Sequence, residues 1–241
     1  MMRALIVDDE IHAREELEAL LVETGDFIIS GKCANALEAI QAIKKEKPDV
    51  LFLDVQMPVI NGFELLSMID EKLMPNVVFV TAYDEYALKA FEENTLDYLL
   101  KPVEKSSLAK TVWKLKRMLN GGEKPVYAGA DIKKIPCVLF SKIKLINVFE
   151  VEYVRSNEAG VYVICQGGEF FTDLTLKVLE DRTDLIRCHK QFLVNIDRID
   201  EIIFRENMLA EIKTKSGHRV PVSRRHLKIL RERLNFRERK T

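Results

Sequence analysis

The sequence predicts a doubly wound, five-stranded parallel α/β sheet in its first half, followed by a mostly β domain. Over the first half, short apolar runs alternate five times with segments of helical periodicity. From Ile135 onward the grammar changes to short strand-like pieces separated by turn signals. Charge divides at the same place. Residues 1–135 hold 17 Lys+Arg against 23 Asp+Glu, whereas residues 136–241 hold 20 against 15. An acidic half joined to a basic half implies two tasks, the second directed at a polyanion.

A chain of 241 residues with 47% apolar and 31% charged content is globular and long enough for two domains. Cys33, Cys137, Cys165 and Cys188 show no Cys-x-x-Cys spacing, and three sit in strand-like stretches. Buried free thiols are expected, not disulfides or zinc ligands. The N-terminus enters a strand and then acids with no apolar leader, and no run approaches membrane length. A cytoplasmic protein with no membrane association is expected.

In order, residues 3–7 read as strand and 13–22 as helix, with Leu17, Leu20 and Leu21 on one face. Residues 27–33 are strand, and Asn35 caps a helix carrying Leu37, Ile40 and Ile43. Residues 50–53 form a continuous apolar run, as in a central parallel strand covered on both faces. It ends at Asp54, and Pro58 blocks its continuation. Asp54 alone has two readings, a loop aspartate capping the next helix or a carboxylate facing a ligand. A helix with Phe63, Leu65, Leu66 and Ile69 follows, then strand 77–81, helix 85–93, strand 97–100 and helix 106–119. Right-handed crossovers would bring all strand C-termini to one edge.

That edge collects Asp8-Asp9, Asp54, Thr81 and Lys101-Pro102. Three carboxylates about 4 Å apart repel by roughly 4 kcal/mol per pair at an effective dielectric near 20. A divalent cation offsets that cost, and hard oxygen ligands suit Mg²⁺. Lys101 adds fixed positive charge on the other side, and the Thr81 hydroxyl can donate to an anionic oxygen. Such a set suits phosphoryl transfer, with Asp54 as the nucleophile.

Asp8-Asp9, Asp54 with Met57-Pro58, Gly62, Thr81-Ala82 and Tyr98 ahead of Lys101-Pro102 resemble the receiver domain of two-component response regulators. The resemblance covers residues 1–119 and implies the CheY-like, flavodoxin-like fold. It further implies that Asp54 accepts a phosphoryl group from a sensor histidine kinase. Asp8 or Asp9, Asp54 and the Gln56 main-chain carbonyl would hold Mg²⁺, and Thr81 and Tyr98 would form a switch. Taken alone, Tyr98 also reads as an ordinary strand aromatic.

Residues 120–135 read as a linker, broken by Gly121-Gly122 and Pro125. Residues 136–241 then give about ten short strands and two helices, 174–181 and 224–236, the second capped by Ser223. No catalytic constellation appears there, so no enzyme is expected. Arg187, His189 and Lys190 cluster, with Asn195 just beyond, and Arg224-Arg225 open the last helix. Cations beside amide donors in inter-strand loops suit phosphate and base-edge contacts. No helix precedes 224–236 closely enough for a helix-turn-helix. Leu227, Leu230 and Leu234 are expected to dock it on the sheet.

Residues 185–195 and the ending Val220-Pro-Val-Ser-Arg-Arg resemble the LytTR DNA-binding domain, over roughly residues 137–235. Receiver plus LytTR in this order resembles the LytR/AlgR family of transcriptional regulators. The resemblance implies loops entering successive major grooves of direct-repeat sites in double-stranded DNA, with Lys190 and Arg224 at contact positions. Gly160 stands where a third contact is common and offers no side chain. A homodimer on phosphorylation is expected. The competing reading is a receiver whose β domain binds a protein partner.

Overall fold

The computed structural model describes residues 1–83, 95–119, 121, 130–140, 142–204 and 210–234. The helix expected over 85–93, most of the linker, the turn at 206–207 and the end of the last helix lie outside them. Contacts divide the chain into two compact units, Met1–Ala130 and Asp131–Thr241.

In the first unit the strands are β1 (Met2–Val7), β2 (Phe27–Cys33), β3 (Val50–Leu53), β4 (Asn76–Thr81) and β5 (Asp97–Leu100). They pair in parallel in the order β2-β1-β3-β4-β5. The described helices are α1 (Ile11–Glu23), α2 (Ala36–Glu46), α3 (Gly62–Ser67) and α4 (Lys105–Leu119). Every residue of β3 and β4 is buried, as continuous apolar strands covered on both faces require. Leu17 and Leu21 of α1 and Leu108, Val112 and Leu115 of α4 pack with Phe52 and Val78 in one core.

Local chemistry sets the helix ends. Asn35 accepts the Glu38 N–H at 3.0 Å, and α2 ends on Lys47 in the left-handed region. Asn61 and Glu64 form a reciprocal capping box at α3. That helix stops at Ser67, shorter than the periodicity suggests. Ile69 is still buried, from a tight turn whose N–H reaches the Leu66 carbonyl at 3.3 Å.

In the second unit the strands are β6 (Lys134–Leu139), β7 (Lys142–Asn147), β8 (Val151–Asn157), β9 (Gly160–Cys165), β10 (Gly168–Thr172), β11 (Ile186–His189), β12 (Phe192–Val194), β13 (Ile199–Phe204), β14 (Ala210–Thr214) and β15 (Arg219–Val222). A seven-stranded sheet runs β11-β12-β8-β9-β10-β6-β7, and a three-stranded sheet runs β13-β14-β15, with antiparallel pairing throughout. Helices α5 (Leu176–Arg182) and α6 (Arg224–Leu234) complete it. Residues 131–135, read from sequence as linker, belong to this unit. Ile132 and Ile135 are buried, and the Ile132 N–H donates to the Arg182 carbonyl at 2.7 Å.

Leu227 and Leu230 dock α6 onto Cys188, Val194, Ile212, Val220 and Val222, so its apolar face is core. All four cysteines are free and buried, and burial pushes the thiols of Cys33, Cys137 and Cys188 up to about 12. Among the described residues no helix is long and apolar enough to cross a membrane.

Candidate functional site

The parallel sheet delivers its strand ends to one place. Asp8 follows β1, Asp54 follows β3, Thr81 ends β4 and Lys101 follows β5. Backbone bonds hold them in line: Asp54 N–H to Val7 O at 2.8 Å, Asp8 N–H to Cys33 O at 3.1 Å, and Lys101 N–H to Thr81 O at 2.9 Å. Ligand atoms of Asp8, Asp9 and Asp54 all lie within 4.8 Å of one another, with Asp8 and Asp54 buried and Asp9 exposed.

Lys101 joins these acids at the same sheet edge. Its Nζ lies 2.6 Å from Asp8 Oδ2 and 2.9 Å from Asp54 Oδ2. One internal cation therefore offsets part of the carboxylate repulsion assigned above to a metal. Burial pushes Asp8 above its ordinary value despite the Lys101 bond and the Glu10 N–H. Burial would lower Lys101, but its bonds to Asp8 and Asp54 outweigh that and raise it. With three carboxylates against one ammonium, the cluster retains room in its charge balance for a hard divalent cation.

Thr81 is fully buried, and its hydroxyl has no hydrogen-bond partner among the described residues. An unpaired buried hydroxyl is costly to keep, and this one retains its capacity to donate a hydrogen bond. Tyr98 is half-buried, 6.4 Å from the Phe79 ring centre, and its hydroxyl donates to the Tyr83 carbonyl. For Gln56, the N–H reaches Asp54 Oδ1 at 3.2 Å.

The loop after Asp54 is tightly constrained. A Cβ on Gly62 would stand 2.5 Å from the Asp54 carbonyl oxygen, so only glycine lets α3 begin this close. Val59 sits at φ +73°, a region disfavoured for a β-branched residue. Arg14 was missed from sequence. Its Nη1 donates to the Asp8 carbonyl at 2.5 Å, bracing the backbone that carries the acids.

In the second unit, the Ser223 N–H donates to the Cys188 carbonyl at 2.9 Å. That bond sets the start of α6 beside the end of β11, and so brings the Lys190 turn and Arg224-Arg225 together. Lys190, Arg224 and Arg225 are exposed. Ser223 opens α6 through its carbonyl, which accepts the Leu227 N–H at 2.9 Å, while its hydroxyl lies 2.6 Å from His226 Nδ1. Burial first, then the charges of Arg225 and Arg187, hold His226 below its ordinary value, with Glu180 opposing them.

Three residues expected in this group are engaged within the domain. Asn195 is buried. Its Nδ2 donates to the Val148 carbonyl at 3.3 Å and its Oδ1 accepts the Asp197 N–H at 3.0 Å, so the amide caps a turn inside the domain. Arg187 is ion-paired with Glu180 at 2.7 Å and only 15% exposed along its side chain. His189 is half-buried, stacked edge-on against Phe192 at 5.7 Å, and its Nδ1 accepts the Gln191 N–H. Gly160 has φ +133°, and a Cβ there would meet the Phe171 ring at 2.5 Å, so that turn admits no side chain.

Comparison with known proteins agrees with both halves. The response regulator receiver domain matches residues 4–113, and the LytTr DNA-binding domain matches residues 141–235. An uncharacterized response regulatory protein of Vibrio cholerae is 51% identical, over 98% of this chain and 100% of its own length. The transcriptional regulatory protein BtsR of Escherichia coli K12 is 47% identical, over 96% of this chain and 98% of its own. The crystal structure of the response regulatory domain of mrkE from Klebsiella pneumoniae is similar at 32% identity and TM-score 0.45, covering 49% of this chain and 98% of that one.

Proposed function

The chain belongs to the family of response regulators that carry a receiver domain followed by a LytTR DNA-binding domain, and from that premise we propose a transcriptional regulator switched by phosphorylation of Asp54. The observation that carries this is the convergence of Asp8, Asp9 and Asp54 within 4.8 Å, with Lys101 bonded to two of them.

In this reading an Asp54 carboxylate oxygen attacks the phosphorus of a phosphohistidine on a sensor kinase. A P–O bond forms to Asp54, the P–N bond breaks, and the nitrogen lone pair returns to the donor imidazole. Lys101 and the unpartnered Thr81 hydroxyl receive the phosphoryl oxygens. Asp8 or Asp9, Asp54 and the Gln56 carbonyl would hold Mg²⁺, which when bound supplies positive charge to those oxygens. Engaging Thr81 and Tyr98 shifts the receiver toward a pairing form, through the face that includes β5 and α4. Two LytTR domains then sit on adjacent direct-repeat half-sites of double-stranded DNA in the cytoplasm. The acidic receiver disfavours binding by a single copy.

The test is intact-mass analysis after incubation with acetyl phosphate and Mg²⁺. One phosphoryl adduct is expected on the native chain and none on Asp54→Ala; an undiminished adduct on the variant places the acceptor elsewhere. Selection from random duplex DNA, with and without acetyl phosphate, tests the output. Absence of any enriched sequence would give the second domain to a protein partner instead. Sedimentation with beryllofluoride tests pairing: a chain that stays monomeric yet gains DNA affinity excludes the dimer route.

A further inference from the structure

Arg187 looks from sequence like one more cation for DNA, but the structure gives it another task. The β11–β12 hairpin turns through Lys190 and Gln191, flanked by His189 and Phe192. None of these four is Gly, Pro, Asn or Asp, so the turn has little local preference for one conformation. The pairing slips between Arg187 and His189, a bulge that changes where the following residues point. Bonds from outside the turn hold it. The Ser156 N–H donates to the Gln191 carbonyl at 2.8 Å, and the Gln191 N–H reaches His189 Nδ1 at 3.3 Å. Arg187 supplies the third, with Nη1 donating to the Lys190 carbonyl at 3.2 Å.

The rest of that guanidinium is anchored. Nε and Nη2 both donate to Glu180 Oε2 of α5, at 2.9 and 2.7 Å. One edge of the planar fork is thus fixed on a helix and the other on the turn, a geometry lysine cannot reproduce. Its charge is already balanced by Glu180.

We infer that Arg187, held by Glu180, is a positioning residue that fixes the backbone of Lys190 for DNA recognition and does not itself contact DNA. This rests on the reading of Lys190 as a DNA contact. It also gives Glu180 an unexpected role: an acidic residue near a DNA-binding surface that favours binding. The pair borders an open cleft of about 460 Å³ also lined by Asp184, Ile229 and Arg233, so substitutions there do not create a sealed void.

The experiment measures affinity of the full chain for a duplex recovered by selection from random DNA, across a salt series, alongside thermal melts of each variant. Glu180→Gln decides by sign. Removing an acidic charge and freeing an arginine would strengthen binding if Arg187 met phosphate directly. The strut predicts weaker binding, by about tenfold, the scale of one lost charge-assisted hydrogen bond. Arg187→Lys should weaken binding as much as Arg187→Gln, whereas a direct phosphate contact would largely survive the change to lysine. Arg187→Gln added to Lys190→Ala should cost nothing further, because the group being positioned is already gone. Tighter binding by Glu180→Gln, near-native binding by Arg187→Lys, or additive losses in the double variant would each overturn the inference. Native-like binding by Lys190→Ala alone is a separate outcome; it overturns the reading of Lys190 and the strut with it.

Discussion

Glu152 is a buried carboxylate remote in sequence from every group it touches, and its removal should cost the second unit more than any surface change. It lies on β8, only 3% exposed. Oε2 accepts the Thr214 hydroxyl at 2.6 Å, Oε1 accepts the Ser216 hydroxyl, and His218 Nδ1 stands 3.3 Å away. The carboxylate therefore ties the seven-stranded sheet to the β14–β15 turn of the three-stranded one. Glu152→Ala removes two charge-assisted hydroxyl bonds worth about 1.5–3 kcal/mol each and strands a fully buried Thr214. Half-exposed His218 lets water reach part of the site, so the lower end applies, about 3 kcal/mol. For a domain of this size that is roughly a 10–20 °C fall in melting temperature.

Glu152→Gln separates charge from shape. Burial alone would raise the Glu152 pKa, but the bonds from Ser216, Thr214 and His218 outweigh it and hold it below its ordinary 4.5. A depressed carboxylate contributes stability that is present above the unfolded-state value and is lost as pH falls through the folded one. The stability gap between native chain and Glu152→Gln should thus be full at pH 7 and close progressively below about pH 4.5. Urea denaturation of both proteins across that range measures it. A gap that is absent at neutral pH, or that stays constant into acid, would refute the reasoning.

Further outcomes follow from single positions. Thr81→Val should raise thermal stability by about 1 kcal/mol or more, because it removes a buried hydroxyl without a partner, while lowering the yield of phosphorylated chain; melts and intact-mass analysis read the two effects. Val59→Gly should relieve the φ +73° backbone and stabilise the first unit by about 1 kcal/mol in urea denaturation. Gly160→Ala should destabilise the second unit markedly, by about 2 kcal/mol or more, since its Cβ would sit 2.5 Å from the Phe171 ring at a positive φ. Arg224→Ala should cost about 1–3 kcal/mol on a selected duplex and relax sequence preference at one position; Lys190→Ala should fall between that pattern and a uniform loss with a salt slope reduced by about one. Fluorescence anisotropy on selected and scrambled duplexes separates them.

The receiver fold was legible because its signals are local or periodic. Apolar runs such as Val50–Leu53 need cover on both faces, Asn35 announces a helix, and right-handed crossovers send every strand end to the same edge. Asp8, Asp9, Asp54, Thr81 and Lys101 could therefore be grouped from the order of elements alone. The second domain showed its strands and its basic ends, but not what each charged side chain does. Charge is visible in a sequence; its partner is not. Lys101 proved to bind two of the acids directly. Arg187 is satisfied by Glu180 of a neighbouring helix, and Asn195 by carbonyl and amide groups of the domain interior. Glu152 stands between Val151 and Tyr153 in β8, and nothing in that local sequence announces a buried carboxylate beside Thr214, 62 residues on. Strand periodicity assigns a face, while the polar partners that make a buried charge tolerable arrive from other sheets. Only chain folding in three dimensions decides that pairing.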